Sequence, residues 1–454
     1  MRIDPAKSLP SSPHLREWLS VGKYFVQNFG CRATQADGAA LETLLAAKGF
    51  EAAEERAGAD LVILNTCTVT ASADEDARHA IRRVHRENPA ARILVTGCYA
   101  QRAPEELALF PGVEWVVGNS HKTQIAELVT LRQPQGLDYH GAIHVGDIFA
   151  QHDFLSAPVE DAAGDRTRPN LKIQDGCNNR CSFCVIPFVR GRSRSAPVEQ
   201  VLKQVRNLAG RYREIVLSGI NLGRWGREPG SPMRLAGLLR LLLAETEAAR
   251  LRLSSIEPMD WSDDLLDLMA ASPRIACHVH APLQSGSDRI LRRMHRKYRP
   301  RHYADRILKA RALMPDAAIG ADVMVGFPGE SEEDFEQTRA FIERLPFTYL
   351  HVFTYSSRPG TASAQMPAQV PVHKARERNR VLRELAARKK QSFQQQLIGG
   401  TLRALTLTQV LNGRTEALTD NYQKLWIEGE FPSNRMLTAR IHSIEGEALV
   451  GKVL

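Results

Sequence analysis

The chain has 454 residues, 43% of them hydrophobic and 24% charged, with a net charge of +9 and seven cysteines. That balance suits folded domains with cores of their own. It excludes a disulfide-stapled mini-protein, and no run of about 18 apolar residues is available to span a membrane. The basic excess favours a polyanionic partner, and nucleic acid is the commonest.

Residues 1–20 carry no apolar signal core and read as a disordered leader, which points to the cytoplasm, where thiols stay reduced. Residues 21–145 alternate short apolar runs with helical stretches. Three strands are expected: KYFVQNF (23–29), DLVILN (60–65) and RILVTG (92–97). Each precedes a helical stretch, so a parallel α/β sheet is predicted. A cysteine follows each strand: Cys31, Cys67 and Cys98. Ligand sites form at the carboxyl ends of parallel strands, and right-handed crossovers keep those ends on one edge. Three cysteines far apart in sequence are therefore expected to meet at a metal or cluster site. Any one of them alone reads as a small buried residue.

Residues 146–165 are polar and read as a linker. Residues 166–392 again alternate strand and helix. Strands are expected near Leu171, Glu214, Leu251, Cys277, Ala318 and Tyr349, which makes a partial (β/α)6 barrel. Polar residues gather just past the strand ends, at Cys177, Ser218, Asn221, Glu257, Gln284, Ser285 and Tyr355, where such barrels build active sites. Cys277 lies inside a strand and is expected to be a small buried residue. Residues 393–454 alternate apolar and polar residues between turns, which predicts a small all-β unit.

The stretch DGCNNRCSFCVIP places Cys177, Cys181 and Cys184 in a C-x3-C-x2-C spacing directly after the first barrel strand. A structural zinc site needs four ligands, and the next candidates, His278 and His280, lie far along the chain. Three thiolates on a four-iron cluster leave one iron open for a substrate group.

This motif, with Phe183 just before the last cysteine, resembles the three-cysteine signature of the radical S-adenosylmethionine superfamily. The resemblance implies that the open iron chelates S-adenosylmethionine and that a 5′-deoxyadenosyl radical is released. The whole arrangement, over residues 21–454, is similar to the methylthiotransferases. It implies two four-iron clusters as cofactors with S-adenosylmethionine: Cys177, Cys181 and Cys184 on the radical cluster, and Cys31, Cys67 and Cys98 on an auxiliary one. NTCTVT (65–70), GCYAQ (97–101), KIQDGCNNRCSFCVIP (172–187), RLSSIEP (252–258) and LQSGSD (283–288) are similar to the branch that modifies C2 of N6-threonylcarbamoyladenosine beside the anticodon of tRNA. A low-potential electron donor and a sulfur donor are implied partners. The family often has Asn three residues after the first cysteine and Ser seven after it; Thr34 and Gly38 stand here instead.

Phe183, Ser218, Gly219, Asn221, Glu257 and Gln284 are expected cofactor contacts. For Ser218, Gly219 and Asn221, a tight strand-to-helix turn with its cap reads equally well. In GFPGE (326–330), the glycines either shape a turn or admit a ligand close to the backbone. Two basic stretches, RRMHRKYRPRH (292–302) and KARERNRVLRELAARKK (374–390), are expected to track tRNA phosphates or to be solvated faces. The C-terminal unit resembles the RNA-binding TRAM domain, with Tyr422 and Trp426 either stacking on bases or buried in a barrel core. The competing functions are methylthiolation of N6-isopentenyladenosine in tRNA, methylthiolation of a ribosomal-protein aspartate, and a non-catalytic iron–sulfur or zinc RNA-binding module.

Overall fold

A computed structural model describes residues 22–130, 141–151, 154 and 167–454. The expected leader (1–20) and most of the expected linker (146–165) lie outside the described residues.

The N-terminal sheet is parallel and six-stranded. Its strands are β1 (Lys23–Asn28), β2 (Glu51–Ala52), β3 (Leu61–Thr66), β4 (Arg92–Gly97), β5 (Val113–Gly118) and β6 (Ala142–His144), in the order β2-β1-β3-β4-β5-β6. Helices cover both faces, so every residue of β3 is buried. Leu61 and Ile63 pack on Leu41 and Leu45 of helix α1 (Arg32–Ala47). Val62 and Leu64 pack on Ala77, Ile81 and Val84 of helix α2 (Ala71–Glu87). The three expected strands are present, and β2, β5 and β6 extend the sheet beyond them.

Six parallel strands form the partial barrel: β7 (Asn170–Asp175), β9 (Glu214–Gly219), β10 (Arg250–Leu253), β11 (His278–His280), β12 (Ala318–Val325) and β13 (Tyr349–Thr354). A two-residue antiparallel strand, β8 (Arg194–Ser195), caps the β7 edge. The barrel is built of two arcs, β10-β9-β7-β8 and β11-β12-β13, linked by the bridge Leu251↔Ile275 and by the Ile256 amide donating to the His280 carbonyl. Val279, Ile319, Ala321 and Val323 are buried in the core under the surrounding helices. Strand alternation therefore turns His278, His280 and Asp322 to the concave face, and the β12–β13 register adds Tyr349 and His351 to it.

Strands β14 (Thr401–Leu411), β15 (Arg414–Thr419), β16 (Lys424–Glu428), β17 (Met436–Glu445) and β18 (Ala448–Val453) close a small barrel. The preceding helix, Val372–Gln396, runs past residue 392 because Phe393 and Leu397 are buried among Ala404, Leu425 and Ile441 of that barrel. No helix among the described residues is long and apolar enough to cross a membrane.

Candidate active site and cysteine clusters

The ends of β1, β3 and β4 bring Cys31, Cys67 and Cys98 together. Cys67 follows β3 directly, and Cys98 opens the helix α3 (Cys98–Arg102). Gly30 lies so close to Cys67 that a Cβ there would sit 2.8 Å from the Cys67 Sγ, and only glycine tolerates its φ of +87° at low cost. Burial, together with the neighbouring Cys98 and Cys31, pushes the Cys67 thiol up to about 12. None of the three is in a disulfide. Three convergent thiols, with Cys67 in a setting that disfavours a bare thiolate, suit a metal cluster that supplies the compensating positive charge.

The second triad lies on the loop after β7. Cys177 accepts from the Asn179 amide at 3.4 Å and faces the Asn221 Nδ2 at 3.8 Å. Burial, with Cys181 and Cys177 beside it, pushes Cys184 up to about 12. A cavity of about 340 Å³ opens beside Cys181 and Cys184. A smaller one is lined by Cys181, Glu257, Arg296 and Tyr298.

A buried arginine attends each triad. Arg296 donates to the Cys181 Sγ at 3.2 Å and to Glu257 at 2.5 Å. Arg190, on the short helix Ile186–Arg190 that follows Cys184, points the other way and donates to the Cys98 Sγ at 3.3 Å. It also binds Asp37 of α1 at 3.0 Å and Asp175 at 3.1 Å. Asp37 is further held by Lys122 at 3.1 Å and by Lys172 of β7. Burial alone would raise Asp37, but Lys122, Lys172 and Arg190 hold it well below the usual carboxylate range. This charge cluster ties the sheet and its cysteines to the barrel and its cysteines. Two other buried clusters brace the assembly. Asp74 binds Arg102 and Arg358, and Glu214 binds Arg250 and Arg252, which reach the carbonyls of Leu418, Thr419 and Asp420 in the small barrel.

Asn221 and Glu257 stand beside the second triad. Ser218 is buried and its hydroxyl lacks a partner among the described residues, as does the Asn221 Oδ1. Gly219 packs against Gln174, which accepts from the Asn221 amide at 2.7 Å. Gln284 takes a φ of +63° while its backbone bridges Asp322 and Met324 on β12. Phe183 turns its ring to Phe327, in an edge contact of 6.4 Å, and Tyr355 packs there too. Ser285 is buried against Thr338. In GFPGE, Glu330 caps the Gly326 amide and pairs with Arg378, so the motif is bound up in its own turn.

Several expectations change. Much of the 292–302 stretch is engaged: Arg296 is buried at the cysteines, Arg292 and Arg299 pair with Asp288, and Arg293 bonds the Pro328 carbonyl. In the 374–390 helix, Arg378 is buried on Glu330, whereas Lys374, Arg376, Arg383 and Arg388 are exposed without an acidic partner among the described residues. Cys277 is only half-buried and precedes β11. Tyr422 neither enters the small barrel's core nor stands free. It stacks on His278 of the large barrel, with centroids 4.5 Å apart. Trp426 lies half-buried under Lys424 on the outer face of β16.

Residues 23–118 match the uncharacterized protein family UPF0004, and residues 171–342 match the radical SAM superfamily. The threonylcarbamoyladenosine tRNA methylthiotransferase MtaB of Aquifex aeolicus is 38% identical over 90% of this chain and 97% of its own length. The chain belongs to the radical SAM methylthiotransferases. A tRNA-2-methylthio-N(6)-dimethylallyladenosine synthase of Endomicrobium trichonymphae is 32% identical over 89% of this methylthiotransferase and 93% of its own length. Among solved structures, the radical S-adenosylmethionine methyltransferase TsrM of Kitasatospora setae shares the fold, with a TM-score of 0.57, 18% identity, and 76% and 77% of the two chains covered. S-adenosylmethionine and two four-iron clusters are the cofactors of this methylthiotransferase. The donor set fits them, since two separate thiol triads each lack a fourth protein ligand of the same kind among the described residues.

Reasoning from sequence misses the attendant arginines and Asp37. Gly38 stands out in the sequence only as a departure from the family pattern. In the structure the Asn28 side chain fills the space that a Cβ at position 38 would need, and it accepts from Asn65 at 2.8 Å. Thr34 contacts the Cys31 Sγ at 3.5 Å.

Proposed function

We propose that this enzyme replaces the C2 hydrogen of N6-threonylcarbamoyladenosine in tRNA, beside the anticodon, with a methylthio group. Residues 166–392 form the radical core, residues 21–145 hold the auxiliary cluster and residues 393–454 bind RNA. Cys177, Cys181 and Cys184 ligate the radical cluster, and Cys31, Cys67 and Cys98 ligate the auxiliary one. The observation that carries this reading is Arg190, whose helix follows one cysteine triad while its guanidinium bonds a sulfur of the other. Two sulfur-ligand sets held by one rigid network suit a reaction in which one centre activates C2 and the other presents sulfur.

With the radical cluster in place, bound S-adenosylmethionine supplies a 5′-deoxyadenosyl radical able to take the C2 hydrogen. The chain's own residues orient and enclose. Arg296 neutralises Glu257 and fixes it beside Cys181, while Asn221 and Ser218 keep unsatisfied polar atoms at the strand ends, suited to cofactor contacts along with Phe183, Gly219 and Gln284. No side-chain base is required for hydrogen-atom abstraction. Lys374, Arg376, Arg383 and Arg388 offer charge to tRNA phosphates. A low-potential electron donor and a sulfur donor complete the reaction, and the setting is the cytoplasm.

The experiment is anaerobic reconstitution of the full chain with S-adenosylmethionine, reductant and tRNA bearing either N6-threonylcarbamoyladenosine or N6-isopentenyladenosine, read by nucleoside mass spectrometry. Methylthiolation of the first alone is expected. Methylthiolation of the second alone overturns the substrate, and 5′-deoxyadenosine release with no change in either nucleoside overturns the choice of tRNA.

A further inference from the structure

Resting on that substrate reading, we infer that Arg32, His280, His351 and Asp322 form the pocket that recognises the threonylcarbamoyl group and excludes an apolar N6 substituent. The concave face of the large barrel is not lined as an apolar slot. The β11–β12–β13 register sets His280 opposite Gly320 and Asp322 opposite His351. The Asp322 Oδ1 lies 3.4 Å from the His280 Nε2 and 3.2 Å from the His351 Nδ1. Ligand atoms of the three residues all fall within 4.8 Å of one another. Gly320 makes this possible, since the Tyr349 ring lies across it and would collide with any Cβ there. Tyr349 accepts or donates at 2.7 Å to His278, on which Tyr422 stacks from the small barrel.

Two features point to a ligand. The His280 Nε2 is buried, in a residue 8% exposed, and the Asp322 Oδ1 at 3.4 Å is too long and poorly aligned to satisfy it fully. A buried ring nitrogen held this weakly gains from a ligand that completes its hydrogen bond. Arg32, next to Cys31, is half-buried, and its guanidinium has no carboxylate or carbonyl partner among the described residues. Its backbone carbonyl is pinned by the Asn170 Nδ2 at 2.6 Å, at the start of β7, and its charge bears on His278 and Tyr349. The sheet, the large barrel and the small barrel thus all contribute to one polar wall.

The chemistry of the two substituents decides between them. Threonylcarbamoyl carries a carboxylate, a hydroxyl and ureido N–H groups. An unpartnered guanidinium suits the carboxylate, and Asp322 with its two imidazoles offers an acceptor and donors for the hydroxyl and the N–H groups. An isopentenyl chain would desolvate the Arg32 guanidinium and the His280 Nε2 while offering neither a partner. A site built to bond a polar group rejects the analogue lacking it far more strongly than an apolar slot rejects an added hydroxyl.

The test compares the reconstituted full-length wild type with Arg32→Met and His351→Phe on the two tRNAs above, with iron content and cluster spectra as controls. His351→Phe is distant in sequence from all six cysteines, so it separates pocket loss from failed cluster assembly. Each variant is expected to lower kcat/KM for the threonylcarbamoyl tRNA on the order of 100-fold. Iron content should hold, and the preference over the isopentenyl tRNA should narrow. Equal losses on both tRNAs, or a loss within twofold in both variants, would overturn the inference and leave the substrate reading standing. A wild type that turns over only the isopentenyl tRNA would sink both.

Discussion

Asp37→Asn tests whether the charge cluster between the two cysteine triads holds the halves of the enzyme together. Asp37 and Asp175 face Lys122, Lys172, Arg190 and Arg194, so four cations already surround two carboxylates. Asparagine keeps the shape and can accept one hydrogen bond, but it leaves Lys122, Lys172 and Arg190 short of their shared counter-charge. Removing one partner from a buried ion cluster costs about 3–5 kcal/mol. The comparison is Asp264→Asn, which breaks the Arg240 pair on an exposed surface where the two side chains are 50% and 57% accessible. Such exposed pairs are screened by solvent and contribute little. Urea unfolding of both variants beside the wild type measures the difference. Because Asp37 is held below its ordinary range when folded, its contribution is present above the unfolded value near pH 4 and is lost as pH falls below it. The gap between wild type and Asp37→Asn should therefore be constant from about pH 6 to 8 and shrink in acid. Indistinguishable midpoints for the two variants would refute the reasoning; Lys122, whose own value burial lowers, would then be shedding its proton to relieve the cluster.

Cys177→Ala and Cys98→Ala should each cost one cluster and halve the bound iron, measured by metal analysis and electron paramagnetic resonance. Arg296→Met leaves Glu257 unpaired and Cys181 without its donor, so S-adenosylmethionine affinity should fall roughly tenfold or more in equilibrium binding. Gly38→Ala lies in a helix, where alanine ordinarily gains up to about 1 kcal/mol, yet the clash with Asn28 should make it destabilising by about 1–3 kcal/mol in thermal unfolding, and Asn28→Ala should rescue it. Arg383→Gln and Arg388→Gln should each weaken tRNA binding and shallow its salt dependence by about one ion in filter-binding titrations, without lowering turnover at saturating tRNA.

Strands and cysteines are readable because they rest on local signals: apolar runs such as DLVILN, and a thiol at a fixed offset from each strand end. The missed strand β5, VEWVVG, follows a crossover that Pro104 breaks into two five-residue helices, α3 and Pro104–Ala108, so no sustained helical period announces it. The charge cluster is not readable. Arg190 and Asp37 are 153 residues apart, and Lys172 and Asp37 are 135 apart, and each alone resembles a solvated side chain. The basic count of the 292–302 stretch misleads for the same reason, since a composition cannot tell an arginine on a cysteine from one on a phosphate. Tyr422 shows the limit of reading one unit at a time: its ring lies outside its own barrel's core, stacked on His278 of another barrel.

Nucleoside mass spectrometry of bulk tRNA from cells with and without this gene bears most directly on the substrate. Loss of 2-methylthio-N6-threonylcarbamoyladenosine, with its unthiolated precursor accumulating, is the expected result. Persistence of that nucleoside while the 2-methylthio isopentenyl derivative disappears would contradict it.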